Sequence, residues 1–173
     1  MRGLFFAWRK LMPRISAAQA GGTNVLAFLD LIAWSEGTDN GRQPTRDQGY
    51  DVVVGGSLFD SYADHPRRLI DLPKLGIKST AAGRYQILSR YWDHYRKSLG
   101  LFGGFTPENQ DRIALHLIRE CRALGDIKAG RIEQAIEKCR SRWASLPGAG
   151  YGQHEHKVSN LLAAYSKAGG VLA

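Results

Sequence analysis

The stretch that decides the fold is Thr23-Asn-Val-Leu-Ala-Phe-Leu-Asp-Leu-Ile-Ala-Trp-Ser-Glu-Gly37. Thr23 and Asn24 are good helix caps, and Gly37 is a natural stop. At about 100° per residue, Val25, Phe28, Leu29, Ile32 and Glu36 fall within one arc of about 100°. The segment therefore predicts a helix with an apolar stripe whose last member is a carboxylic acid. Burial and the negative end of the helix dipole both oppose ionisation there. An acid kept protonated near neutral pH can act as a general acid, which makes Glu36 the candidate catalytic group.

Four further segments carry a helical period. They are Leu88, Tyr91, Trp92, Tyr95 and Leu99; Thr106-Pro107 running on through Ile113, Ala114, Leu117, Cys121 and Leu124; Ile132, Ala135, Ile136, Cys139 and Trp143; and Val158, Leu161, Leu162, Tyr165 and Ala168. One segment is β-like: Tyr50–Val54 and Ser57–Phe59 flank Gly55-Gly56, which predicts a hairpin over 50–62. Residues 38–49, 60–83 and 145–153 read as loops. The expectation is an α+β domain, mainly helical with one small β-hairpin, over 23–173. Residues 1–22 read as a flexible basic extension joined at Gly21-Gly22.

The chain has 173 residues, enough for one domain with its own core. No run of 18 apolar residues occurs, so a spanning helix is not expected. The formal charge is +8, with four bases and no acid before residue 23. Such a balance favours anionic partners. The bases are scattered rather than gathered on one helix face, and no nucleic-acid motif is present, so a nucleic-acid partner is not expected. The glycine-rich stretches 100–104 and 148–152 lack a P-loop lysine, and no cysteine or histidine spacing suits a metal, so neither nucleotide, cofactor nor metal is expected. Cys121 and Cys139 lie on helical stripes and read as buried thiols. Asp39 and Asp51 are the candidates for a second carboxylate, which a hydrolytic glycosidase would need across the scissile bond. Tyr85 and Tyr151 sit at or in loops, where a ring face with a polar tip suits a sugar.

Five blocks resemble the phage lambda endolysin family, in the family's order and spread over residues 24–170. They are Ala33-Trp-Ser-Glu-Gly-Thr-Asp-Asn-Gly-Arg42, Gly49-Tyr-Asp-Val-Val-Val-Gly-Gly56, Asp64-His-Pro-Arg67, Lys78-Ser-Thr-Ala-Ala-Gly-Arg-Tyr-Gln86 and Trp143-Ala-Ser-Leu-Pro-Gly-Ala-Gly-Tyr-Gly-Gln153. Residues 1–22 match nothing in the family's usual start. The resemblance implies a lysozyme-like fold, with a cleft between an upper β-hairpin lip, here 50–62, and a lower loop lip, here 145–153. It implies a lytic transglycosylase that cleaves peptidoglycan between N-acetylmuramic acid and N-acetylglucosamine and leaves 1,6-anhydro ends. It places the catalytic role on Glu36 and a glycan contact on Gln86; Ser35, Tyr85, Tyr151 and Gln153 complete the candidate substrate contacts. It also implies a monomer without stable membrane insertion, made in the host cytoplasm and released to the periplasm through a holin-type pore. A hydrolytic muramidase using Glu36 with Asp39 or Asp51 is the alternative.

Overall fold

The computed structural model describes residues 13–173. Seven helices in this range run in chain order: α1 (Ala17–Ala20), α2 (Thr23–Ser35), α3 (Ser89–Ser98), α4 (Pro107–Glu120), α5 (Leu124–Lys128), α6 (Ile132–Cys139) and α7 (Val158–Lys167). Strands β1 (Ile70–Leu72) and β2 (Ile77–Ser79) form an antiparallel pair in which Asp71 faces Lys78. The architecture is the mainly helical α+β domain expected. Among the described residues no helix is long and apolar enough to cross a membrane.

The helix that carries Glu36 is central. Val25, Leu26, Ala27, Phe28, Leu29, Leu31, Ile32 and Ala33 are all buried, so the stripe seen in the sequence is one side of a helix covered on nearly every side. It packs on α1, α4, α5 and α7. Each fully buried Leu, Ile or Phe contributes about 1.5–3 kcal/mol, which makes α2 the rigid post of the molecule. The long apolar period after Thr106 is broken by Arg122, whose φ is +56°, so Leu124 belongs to the separate α5. Thr106 caps α4 through its side chain, and Pro107 occupies the first helical turn, as the sequence indicates.

A strand pair that was not expected accompanies the glycine turn of 50–59. The paired strands are 70–72 and 77–79, inside the stretch read as loop. Pro73 and Gly76, which suggested a loop, instead form the connecting turn, with Gly76 at φ +64°. In the 50–59 segment the expected turn does form around the glycines: Val52 bridges Leu58, the Val53 N–H donates to the Ser57 carbonyl at 2.7 Å and the Phe59 N–H to the Asp51 carbonyl at 2.9 Å. Its first arm is also tied to 81–83, with the Val54 N–H donating to the Ala81 carbonyl and the Gly83 N–H to the Val52 carbonyl.

The N-terminal expectation also needs correcting. Residues 1–12 lie outside the described residues, but 13–22 are packed. Ser16 closes a capping box with Gln19, and Ile15 and Ala20 are buried. The backbone N–H groups of Arg14 and Ile15 donate to the buried Asp111 carboxylate at 2.6 and 3.0 Å. A buried carboxylate needs donors, and the segment preceding α2 supplies two of them.

Candidate active site

Glu36 caps the C-terminus of α2, its N–H still bonded to the Ile32 carbonyl. Its side chain is partly buried and lines a cleft of about 230 Å³. One wall is the β region, with Val54, Leu72, Ser79 and Ala81. The facing wall is the segment after α6, with Ser141 to Ala144, and Gln153. The upper lip is therefore the 70–79 strand pair with Val54, in place of 50–62 alone.

Burial of the Glu36 carboxyl pushes its pKa up to about 7, against the hydroxyl and backbone amide of Ser145, which favour the ionised form. The Ser145 Oγ lies 2.5 Å from Glu36 Oε1 and 2.7 Å from Ser35 Oγ. Among the residues lining the cleft, Glu36 is the one carboxylate. Asp51 is buried away from it and accepts from Thr45 Oγ1 at 2.5 Å and the Arg46 amide at 3.0 Å. Asp39 pairs with Arg84 at 2.8 Å and lines a separate depression on the α7 side. Neither is placed to face Glu36 across the cleft.

The other sequence-derived positions separate. Gln86 lines the cleft with φ +51°, a strained conformation for a side-chain-bearing residue. Its amide nitrogen donates to the carbonyls of Gly83 (3.0 Å) and Val52 (3.3 Å), so its Oε1 remains an acceptor. Gln153 lines the cleft on the opposite side. Tyr85 borders the cleft, but it is buried and its hydroxyl donates inward to Asp111 at 2.6 Å. The expected polar tip toward sugar is therefore turned to the core. Tyr151 is exposed and outside the cleft lining, with its hydroxyl on the Ser141 carbonyl. Ser35 is buried and reaches Glu36 only through Ser145.

Beneath the cleft lies a polar floor. Asp111 accepts from Tyr50 and Tyr85 hydroxyls as well as the two N-terminal amides. The fully buried Arg84 pairs with Asp30 at 2.5 Å and Asp39, and its guanidinium lies over the Tyr50 and Tyr85 rings. Gly83 is needed here. A Cβ would meet Gln110 Oε1 at 2.2 Å, and φ is +79°. The lower lip is held by Glu155, whose carboxylate accepts the N–H groups of Gly148 and Gly150 at 2.8 and 2.9 Å.

Sequence reasoning missed Arg142, Trp143 and Tyr91 as lining of the cleft, and it missed the bond to Glu36 from Ser145, which lies in the expected lower lip. Ser145 gave no local signal, because its meeting with Glu36 bridges 109 positions of chain. Trp143 was assigned to a helical stripe, yet it follows α6, where its indole N–H donates to the Tyr85 carbonyl at 3.2 Å. Of the two thiols, Cys139 is buried and Cys121 only half-buried. Cys139 and the Arg142 guanidinium beside it draw the Cys121 pKa down.

The family model described as Endolysin matches residues 26–172. The endolysin of Escherichia phage lambda is 62% identical over 147 residues, covering 84% of this chain and 91% of that protein. The endolysin of Escherichia phage P2 is 51% identical over 171 residues, covering 94% of this chain and all of that protein. The P2 match leaves fewer residues uncovered than the 22 before Thr23, so it runs into the segment expected to match nothing. A solved structure of bacteriophage lambda lysozyme complexed with a chitohexasaccharide superposes with a TM-score of 0.85 at 58% identity, covering 88% of this chain and 97% of that one. A second lambda lysozyme structure gives a TM-score of 0.80 at 57% identity.

Proposed function

The chain belongs to the endolysin family, and from that premise we propose that it cleaves the β-1,4 bond between N-acetylmuramic acid and N-acetylglucosamine in peptidoglycan by transglycosylation. The observation that carries this reading is the single carboxylate in the cleft. A hydrolytic glycosidase needs a second carboxylate to activate water or to form the covalent intermediate. Here Asp39 and Asp51 are engaged elsewhere. An intramolecular nucleophile removes that need.

Glu36, neutral at and below about pH 7, donates its proton to the glycosidic oxygen as the C1–O bond breaks. The muramyl C6 hydroxyl attacks C1 and closes the 1,6-anhydro ring. The Glu36 carboxylate then accepts the proton from that hydroxyl, which restores the acid. Gln86, with Oε1 free, and Gln153 on the opposite wall hold sugar hydroxyls and acetamido groups. Tyr85, buried with its hydroxyl on Asp111, supports the cleft from below, and Tyr151 and Ser35 do not line it. The same reading makes the protein a monomer that accumulates in the host cytoplasm and reaches the periplasm through a holin-type pore. The oligosaccharide in the lambda lysozyme complex is consistent with a glycan ligand.

Mass spectrometry of digested peptidoglycan tests the reaction. Anhydromuramyl ends are expected. Reducing ends carrying oxygen-18 from labelled water would overturn transglycosylation and establish the muramidase course. In that case Asp39→Asn or Asp51→Asn would be nearly as damaging as Glu36→Gln.

A further inference from the structure

The Glu36 carboxyl is held from outside its own helix, by a hydroxyl belonging to the lower lip. Ser145 Oγ lies 2.5 Å from Glu36 Oε1 and 2.7 Å from Ser35 Oγ. A serine has one hydroxyl proton and two acceptor lone pairs. When Glu36 is ionised, the Ser145 proton must go to Oε1, so Ser35 is the donor to Ser145. Ser35 is buried at the last position of α2, and its own carbonyl receives the Nε2–H of His156 at 3.0 Å. His156 in turn packs on Trp34 at 4.8 Å. The Ser35–Ser145 pair is thus anchored on rigid α2 while it grips the reactive group.

We propose that Ser145 is the positioning residue for Glu36, its hydroxyl reserving Oε1 as an acceptor so that Oε2 is the oxygen that carries, delivers and reclaims the catalytic proton. The proposal rests on Glu36 as the acid of the reaction above. The physical basis is that a protonated carboxyl has one O–H and one carbonyl oxygen, and a fixed donor selects which is which. The same donor stabilises the carboxylate formed after proton transfer. The bond also couples the two walls of the cleft, because the residue that orients the acid sits just before the glycine-rich stretch that Glu155 fastens.

The charges around Glu36 leave Ser145 as its specific partner. The titratable groups sharing the cleft are Arg142, Tyr85, Tyr91 and Tyr95. Arg142 and Tyr95 are both spent on Glu120, and Tyr85 on Asp111. Asp39, on the loop that follows Glu36, is paired with Arg84. His156 approaches only through the Ser35 carbonyl, and burial holds its pKa below the usual imidazole value.

The test is a carbon-13 NMR titration of the Glu36 side chain in the whole protein without substrate, alongside pH–rate profiles on peptidoglycan. In Ser145→Ala the Glu36 pKa is expected to rise by about one unit, and kcat to fall about tenfold with KM little changed. Ser145→Thr, which keeps the hydroxyl, returns the wild-type titration. Ser35→Ala moves the pKa in the same direction by less. Superimposable Glu36 titrations in wild type and Ser145→Ala overturn the proposal, as does a fall in kcat with an unmoved pKa. The failure of the catalytic reading is separate: Glu36→Gln would then keep cleaving peptidoglycan, whatever the substrate-free titration shows.

Discussion

At the scale of single residues, the role proposed for Glu36 bears on both activity and stability. Glu36→Gln removes the transferable proton while keeping shape, so wall cleavage is expected to fall by at least about a thousandfold with the circular dichroism spectrum unchanged. In the proposed reaction the acid form is the starting species, so the rate should decline as pH rises through about 7. The same residue costs stability. Its folded pKa is raised from 4.5 to about 7, so the unfolded chain ionises first. Its stabilising contribution is whole below about pH 4.5 and is lost as pH rises through about 7. Glu36→Gln should therefore melt higher than wild type at pH 8, by the equivalent of about 2 kcal/mol, with the advantage vanishing near pH 4. Melting curves of both proteins at the two pH values check this, and an advantage independent of pH would contradict it.

At the scale of elements, the N-terminal segment and the cleft floor are one structure. Asp111 on α4 collects two backbone amides from residues 14–15 and the hydroxyls of Tyr50 and Tyr85. Asp111→Ala leaves four donors without their acceptor and should destabilise by about 2–4 kcal/mol, read as a lower melting temperature. Helices were the legible part of this scale. Thr106-Pro107 and the apolar periods placed α3, α4, α6 and α7 because their signals are local. The strand pair at 70–79 is not legible in the sequence because its only marks, Pro73 and Gly76, serve turns and loops alike. The packing of residues 13–22 was invisible because its reward, a buried carboxylate, lies 96 or 97 positions away. The site divides the same way. Glu36 is legible as the last member of the apolar stripe, and Gln86 and Gln153, which also line the cleft, lie in the motif blocks. The inward turn of the Tyr85 hydroxyl depends on Asp111, and no local pattern announces it.

At the scale of the whole molecule, the formal charge of +8 favours an anionic partner. Peptidoglycan stem peptides carry carboxylates, so clearing of permeabilised cells should slow as ionic strength rises past about 0.15 M, where the screening length is about 8 Å. Cleavage of a short uncharged chitooligosaccharide, if accepted, should respond far less. Equal salt sensitivity for both substrates would remove long-range attraction from the account.

The platform under the groove is built from directional bonds among Arg84, Asp30, Asp39, Asp111, Tyr50 and Tyr85 rather than from oily contacts alone. Greasy packing tolerates small shifts, whereas a lattice of mutually dependent donors and acceptors holds as a set. On heating, such a base gives no gradual softening. Lytic power should vanish at one threshold, together with the near-ultraviolet signal of the two tyrosines, and an enzyme engineered for endurance would gain more from reinforcing this hidden mesh than from tightening its outer loops.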